Sequence, residues 1–264
     1  MADPSSILRD SGFGMALIRE RLAAQLAGKS ARADAALARP SASLDAALAR
    51  TPSRALLESA LEPIAPQAEA GLPAVAPGSS ARPPEGALLS ARRAAVALVL
   101  RERAARGPEV LFIRRAEHPS DPWSGHMAFP GGREEPSDGD LLQTAMRETR
   151  EEGSLEVAAR ARLLGRLDEL PAIARGRATG LTIAPFVFEL TPDAVFAGDS
   201  LQLNGEVSEV VWAPLWPLFR GELATTFHYE VGGQRVELPA HDVAGRVVWG
   251  LTHRMLETLF ALLR

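Results

Sequence analysis

Cysteine is absent from the 264-residue chain, which excludes disulfides, thiolate catalysis and any zinc site built on sulfur. The absence fits a reducing compartment, and the cytoplasm is the expected location. Long apolar runs are also missing. No stretch approaches the ~18 uninterrupted apolar residues of a membrane-spanning helix. Arg19, Glu20 and Arg21 break up Ser11 to Gly28, the only stretch placed to serve as a signal-peptide core. A basic excess is lacking too, since 29 Lys and Arg face 33 Asp and Glu for a net charge of −4. That balance argues against a nucleic-acid backbone binder, so neither nucleic acid nor membrane is an expected partner.

What is present suits a sizeable core: 46% of positions are hydrophobic and 23% charged, as expected for one domain with an extension. Residues 1–62 are rich in Ala, Leu and Arg. Met15, Leu17, Ile18, Leu22 and Leu26, then Leu44, Ala47 and Leu48, carry helical spacing, and Thr51-Pro52 is a helix start for a segment through Leu61. These helices have little aromatic mass, so they are expected to lie on the main domain, or on a second subunit in a homodimer, or to stay partly mobile. Residues 63–87 hold Pro63, Pro66, Pro73, Pro77, Pro83 and Pro84 among small residues and read as a linker. The ordered domain, 88–264, is expected to start near Leu88.

Within it, Ala94 to Leu100 and Val110 to Arg114 are apolar strand-length runs around Gly107-Pro108, a predicted hairpin. Leu163 to Leu170, Leu181 to Leu190 and Glu209 to Pro214 read as further strands, Leu181 to Leu190 as one buried on both faces. Thr225 to Val231 and Arg235 to Leu238 flank Gly232-Gly233 as a second hairpin. Val247 to Leu263 reads as a closing helix.

Asp140 to Glu152 is a run of good helix formers with Ser137 or Asp138 as cap and Gly153 at its end. On this helix Glu148, Glu151 and Glu152 stand at i, i+3 and i+4, within an arc of roughly 100° and about 6 Å of axis. Like charges so placed destabilise a helix by roughly 0.2–0.5 kcal/mol per pair, so the arrangement makes better sense with a cation among them; a solvated acidic patch is the alternative, and the loop that precedes the helix tips the balance to the cation. Hard oxygen ligands point to Mg²⁺ or Mn²⁺. Leu141, Leu142, Ala145 and Met146 form the adjoining apolar flank. Just upstream, Phe129-Pro130-Gly131-Gly132 is suited to a tight turn near a ligand, and a glycine carbonyl there, Gly131 first, is a candidate metal ligand.

This stretch resembles the Nudix box, G-x5-E-x7-R-E-U-x-E-E-x-G-U with U apolar. Arg147 to Glu152 fits except for Thr149. Counting from Gly132, Asp138 replaces the expected Glu and eight residues rather than seven precede Arg147; Gly153-Ser154 inverts the order before Leu155. The variant spacing is similar to the branch that includes coenzyme A pyrophosphatases, whose upstream pattern is matched by Leu111, Phe112, Arg115, Ala116 and Phe129-Pro130-Gly131-Gly132. Ile113, Ser120 and the late Gly125 depart from it. The ending VVWGLTHRMLETLFALL is also similar to that branch.

The resemblance implies an α/β fold, a Nudix α/β/α sandwich around a mixed sheet, here with a helical N-terminal extension. It implies a Mg²⁺- or Mn²⁺-dependent hydrolase of a small-molecule nucleotide: a nucleoside diphosphate joined to another group, coenzyme A first. ADP-ribose, dinucleotides or nucleotide sugars are the enzymatic alternative, and a non-catalytic nucleotide-binding module is the alternative of another class. Glu148, Glu151 and Glu152 are the implied metal ligands. Glu151 is the first candidate for the base, with Glu209 and Glu206 as outside candidates, and Arg147 is implied to orient the carboxylates, with Asp138 across the turn as a partner. Arg115, Trp123, His126 and Phe129 are candidate substrate contacts, and His118 is a further one.

Overall fold

The computed structural model describes residues 13–37, 92–104, 106–118, 123–174, 177–194, 203–231 and 234–264. The helices expected near Leu44 and between Thr51 and Leu61, the 63–87 linker, the Leu88 start, Ser120 and the Gly232-Gly233 turn lie outside them.

A helix, α1 (Met15–Leu37), precedes two strands, β1 (Arg92–Arg103) and β2 (Gly107–Arg115). They pair antiparallel with Leu100 opposite Val110, as the predicted hairpin requires. Two short strands, β3 (Met127–Ala128) and β4 (Gly131–Arg133), lead into α2 (Leu141–Gly153) and a single turn, α3 (Val157–Arg160). Then follow β5 (Ala161–Arg166), β6 (Leu170–Ala174), β7 (Arg177–Leu190), β8 (Val207–Pro214) and α4 (Leu215–Phe219). The chain closes with β9 (Ala224–Val231), β10 (Gln234–Val243), β11 (Arg246–Trp249) and α5 (Gly250–Leu263).

The large sheet is mixed. Central β1 runs parallel to β7 from Arg92↔Leu181 to Leu100↔Glu189, and its other neighbours are antiparallel. Because side chains alternate along a strand, β1 feeds two cores. Val96, Leu98 and Leu100 join Phe112, Phe129, Leu256, Leu259 and Phe260 on one face. Ala95, Ala97 and Val99 join Leu111, Leu141, Ala145 and Phe188 on the other. The alanines on the second face let α2 lie close to the sheet, while α1 and α5 cover the first. This is the α/β sandwich expected, with a second, three-stranded antiparallel sheet of β9, β10 and β11 beside it.

The N-terminal helix is part of the fold. Ile18 and Leu22 are fully buried in the same core as α5, and Arg19 forms a salt bridge with Glu189 of β7. Leu26, by contrast, is 44% exposed.

Several predicted boundaries move. The expected Leu163–Leu170 strand ends at Arg166, where Leu167 turns inward and its amide donates to the Pro185 carbonyl at 2.9 Å. The closing helix begins at Gly250, not Val247, because Val247–Trp249 pair with Ala240–Asp242 as β11. Asp140, not Ser137 or Asp138, caps α2 by accepting from the Gln143 amide at 2.8 Å. Gly153 is the last helical residue, and Ser154 takes the left-handed conformation (φ 51°).

Candidate active site

The site is built on α2 and the glycine turn that precedes it. Gly131 lies against β1, where a Cβ would stand 2.3 Å from the Ala95 carbonyl oxygen. At Gly132 a Cβ would stand 2.3 Å from Glu148 Oε1. Both positions therefore favour glycine, the first for backbone contact and the second to admit the Glu148 carboxylate.

Arg147 organises the charged side chains. Its Nε donates to Asp138 Oδ1 and its Nη2 to Asp138 Oδ2, each at 3.0 Å. Nη1 donates to Glu148 Oε1 at 3.0 Å and to Glu151 Oε2 at 3.1 Å, and Nη2 also reaches the Arg133 carbonyl at 3.0 Å. Asp138 further accepts from the Glu135 amide and the Thr144 hydroxyl, each at 2.9 Å. These bonds, the guanidinium first, hold the Asp138 carboxyl well below the usual range and hold Arg147 charged. The displaced, shorter Asp138 is thus a full partner for Arg147, in keeping with the expectation from sequence.

Glu152 is only 2% exposed. It accepts from the Gly131 amide at 2.9 Å, yet burial pushes its carboxyl up to about 8, with Glu148 and Glu206 adding repulsion and Arg115 opposing it. Burial also raises Glu148, against the pull of Arg147. Thr149, the departure from the apolar position of the box, is buried and donates to the Ala145 carbonyl at 2.7 Å, so it behaves as an internally satisfied residue.

Two carboxyls raised by burial and mutual repulsion, with oxygen donors alone, form the kind of set that a hard divalent cation relieves. The oxygens of Glu148, Glu151 and Glu152 are not, however, within 4.8 Å of one another as a group. Glu148 and Glu151 turn to Arg147 and Glu152 turns to the Gly131 amide, because like charges separate toward the donors within reach. Gly131 thus offers an N–H to this cluster.

The other sequence candidates divide. Arg115 is near enough to act on Glu152 electrostatically. Phe129 is a correction: it is 2% exposed and stacks on Phe112 with ring centroids 5.0 Å apart, so it anchors the core and does not face substrate. Glu209 pairs with Arg246 at 2.6 Å, which engages the carboxylate expected as an outside base. His118 is exposed, with its amide on the Ser124 hydroxyl, and Trp123 is 44% exposed.

His126 lines a cavity of about 310 Å³ with Arg114, Gly125, Met127, Phe227, Arg246 and Trp249. Phe227 and Trp249 stack at 4.0 Å, and His126 meets the Trp249 edge at 5.0 Å. Sequence reasoning missed Phe227, Arg246 and Trp249 as a group. Trp249 was hidden in a run read as helix, and the only local sign of the break is Gly250, at φ 63°. A larger cavity of about 1050 Å³ lies between Arg19, Arg162 and Glu189, away from the α2 carboxylates.

A family model described as the NUDIX domain matches residues 91–231, more than half of the chain. The chain belongs to the Nudix hydrolase family. Members of this family are pyrophosphohydrolases that generally use divalent metals, and this chain is one of them. It stands near the coenzyme A branch. The human mitochondrial coenzyme A diphosphatase NUDT8 is 34% identical over 158 residues, 59% of this chain and 63% of that protein, so the chain spans less than two thirds of this relative's length. The uncharacterized Nudix hydrolase NudL of Yersinia enterocolitica is 29% identical over 154 residues, 58% of this chain and 72% of that one. Among solved structures, a MutT/nudix family protein from Enterococcus faecalis aligns at a TM-score of 0.43 and 16% identity, covering 79% of this chain and 68% of its own.

Proposed function

We propose that this Nudix domain hydrolyses the pyrophosphate bond of coenzyme A or its derivatives to 3′,5′-ADP and a phosphopantetheine fragment. The observation that carries the chemistry is Glu152: a carboxyl buried to 2% exposure beside Glu148, with a pKa lifted to about 8, facing the Gly131–Gly132 turn. Such a group is costly in a metal-free core and useful where a divalent cation is bound.

Glu148, Glu151 and Glu152 are the residues that would hold Mg²⁺ or Mn²⁺. A divalent ion so placed supplies charge neutralisation of the diphosphate oxygens and a more acidic water. In the reaction, water adds to phosphorus, the bridging P–O bond breaks, and the water proton passes to a carboxylate. Glu151 is the group proposed for that proton, being 46% exposed at its side chain and held by Arg147 at 3.1 Å. Arg147 keeps the carboxylates in register through Asp138 and does not itself reach substrate. The cavity of His126, Phe227 and Trp249, edged by Arg114 and Arg246 in their pairs with Glu117 and Glu209, offers a flat aromatic wall with guanidinium groups at its rim, a match for an adenine and its phosphates. The likeness to the human coenzyme A diphosphatase supports the same substrate class.

The test is a panel of coenzyme A, acyl derivatives, ADP-ribose, NADH and diadenosine polyphosphates, each with Mg²⁺ or Mn²⁺. Release of 3′,5′-ADP from coenzyme A is expected. Glu148→Gln is expected to keep the fold and lose turnover by about 10²-fold or more. Inert coenzyme A with cleaved ADP-ribose would replace the substrate assignment. A thermal shift with nucleotide but no phosphate release from any substrate would make the domain a binding module.

A further inference from the structure

We propose that His241, His253 and Glu257 form a binding site for a second metal ion of the zinc class, separate from the α2 carboxylates. His253 and Glu257 stand at i and i+4 on one face of α5, and His241 faces them from β10. One donor atom from each lies within 4.8 Å of the other two. His241 Nε2 is 3.5 Å from Glu257 Oε1. Around a four-coordinate zinc at bonds of about 2.0–2.1 Å, donor atoms lie about 3.4 Å apart, so small rotamer adjustments would bring the set onto an ion.

A second observation points to a ligand. The His241 side chain is 4% exposed, and neither ring nitrogen makes a well-formed hydrogen bond, although the Glu257 carboxylate at 3.5 Å and the Leu223 backbone lie beside it. Buried polar groups are almost always satisfied, so a poorly satisfied imidazole aimed at a second imidazole and a carboxylate is an unusual arrangement for packing alone. The two rings stack at 4.8 Å rather than exchanging a hydrogen bond, and Phe260 closes the apolar side. Burial keeps both imidazoles in the neutral form that ligates metal. Arg264 holds the other oxygen of Glu257 at 3.4 Å, which leaves Oε1 directed at His241.

The donor chemistry sets the ion. Two imidazole nitrogens and one carboxylate oxygen suit zinc and its borderline neighbours and not Mg²⁺. The partly exposed side of His253 and Glu257 leaves a fourth position for water. All three residues lie beyond the 91–231 stretch matched by the family, on β10 and α5 and not on α2. An ion here would tie the three-stranded sheet to α5.

The test is zinc titration of the full chain against a chromophoric chelator in millimolar Mg²⁺, for wild type and for Glu148→Gln, His253→Gln and Glu257→Gln. The last two alter partly exposed side chains and leave the buried His241 in place. One zinc per chain is expected, bound equally by wild type and Glu148→Gln and about tenfold or more weaker in the other two. Cobalt added to wild type alone should give the visible absorption of a four-coordinate nitrogen and oxygen site, a readout that needs no variant. The proposal is overturned if wild type takes no zinc from the chelator, if binding is unchanged in both α5 variants, or if it is lost in Glu148→Gln.

Discussion

Arg147 and Asp138 face each other through two parallel hydrogen bonds of 3.0 Å, a bidentate pair that joins the middle of α2 to the loop before it. With side-chain exposures of 14% and 5%, the pair is shielded from solvent. Neutralising Asp138 takes the bidentate acceptor from a shielded guanidinium that keeps its single bonds to Glu148, Glu151 and the Arg133 carbonyl, so Asp138→Asn is expected to cost about 2–3 kcal/mol of stability, measured by urea unfolding at pH 7. The folded pKa of Asp138 is depressed, so its contribution is present above the unfolded value of 3.8 and is lost as pH falls below it. The variant should therefore show a smaller stability loss than wild type below about pH 4.

Glu152 has the opposite sign. Its folded carboxyl is raised to about 8 against 4.5 when unfolded, so between those values the folded state binds more protons. Stability then falls as pH rises through the window, by up to about 1.4 kcal/mol per pH unit. Glu152→Gln removes this term. In the presence of a chelator, the variant should gain on wild type steadily from pH 5 to pH 8 while losing turnover in Mg²⁺. An unchanged difference in melting temperature across that range would refute the buried-carboxyl assignment.

The two glycines of the turn separate fold from function. Gly131→Ala drives a Cβ into the Ala95 backbone, which cannot yield without shifting β1, whereas Gly132→Ala meets the flexible end of Glu148. Gly131→Ala is expected to lose about 3 kcal/mol or more of stability. Gly132→Ala should melt near wild type but lose about 10²-fold in kcat through a misplaced carboxylate. Comparable melting temperatures for the two would contradict the geometry.

Legibility in the sequence followed the range of the interaction. The three glutamates of α2, the apolar stretch of β7 and the β1–β2 hairpin follow local periods; α2 emerged within one residue of its limits, whereas the strands were legible in their apolar centres and not in their polar ends, which run out to Arg177, Arg92 and Arg103. Short strands did not. Gly131–Arg133 carries no strand signal, since its pairing with Ala94–Val96 is set by β1. The same holds for caps: Asp138 and Asp140 are chemically alike, and only the reach of Arg147 decides that the first binds it while the second closes the helix. Phe129 looked like a ligand contact because it adjoins the glycine turn, but its ring points to Phe112. The meeting of His241 with His253 depends on tertiary packing, which no local pattern encodes.

The aromatic cavity yields a prediction about binding. Trp249 stacks on Phe227 at 4.0 Å and presents its edge to His126. If an adenine rests there, Trp249→Leu removes base stacking worth about 1–3 kcal/mol. The apparent KM for coenzyme A should then rise roughly 5- to 150-fold, with kcat changed much less because the α2 carboxylates are untouched. Steady-state kinetics with coenzyme A separate the two; a fall in kcat at constant KM would place the base elsewhere.

The role of α1 is open to the most direct test. Ile18 and Leu22 are fully buried and share a core with Leu98, Phe112 and Phe260, on the strands and helix that frame the sheet's first face. A surface-docked extension would leave the domain intact on truncation, whereas a helix whose side chains fill the core leaves cavities. Ile18→Ala and Leu22→Ala should each cost about 2–5 kcal/mol, while Leu26→Ala, at a position 44% exposed, should cost less than about 0.5 kcal/mol. Since α1 covers the face opposite α2, its loss should lower the melting temperature without altering the Mg²⁺ dependence of the folded fraction. Equal, small effects at all three positions would show that the helix rests on the domain without completing it.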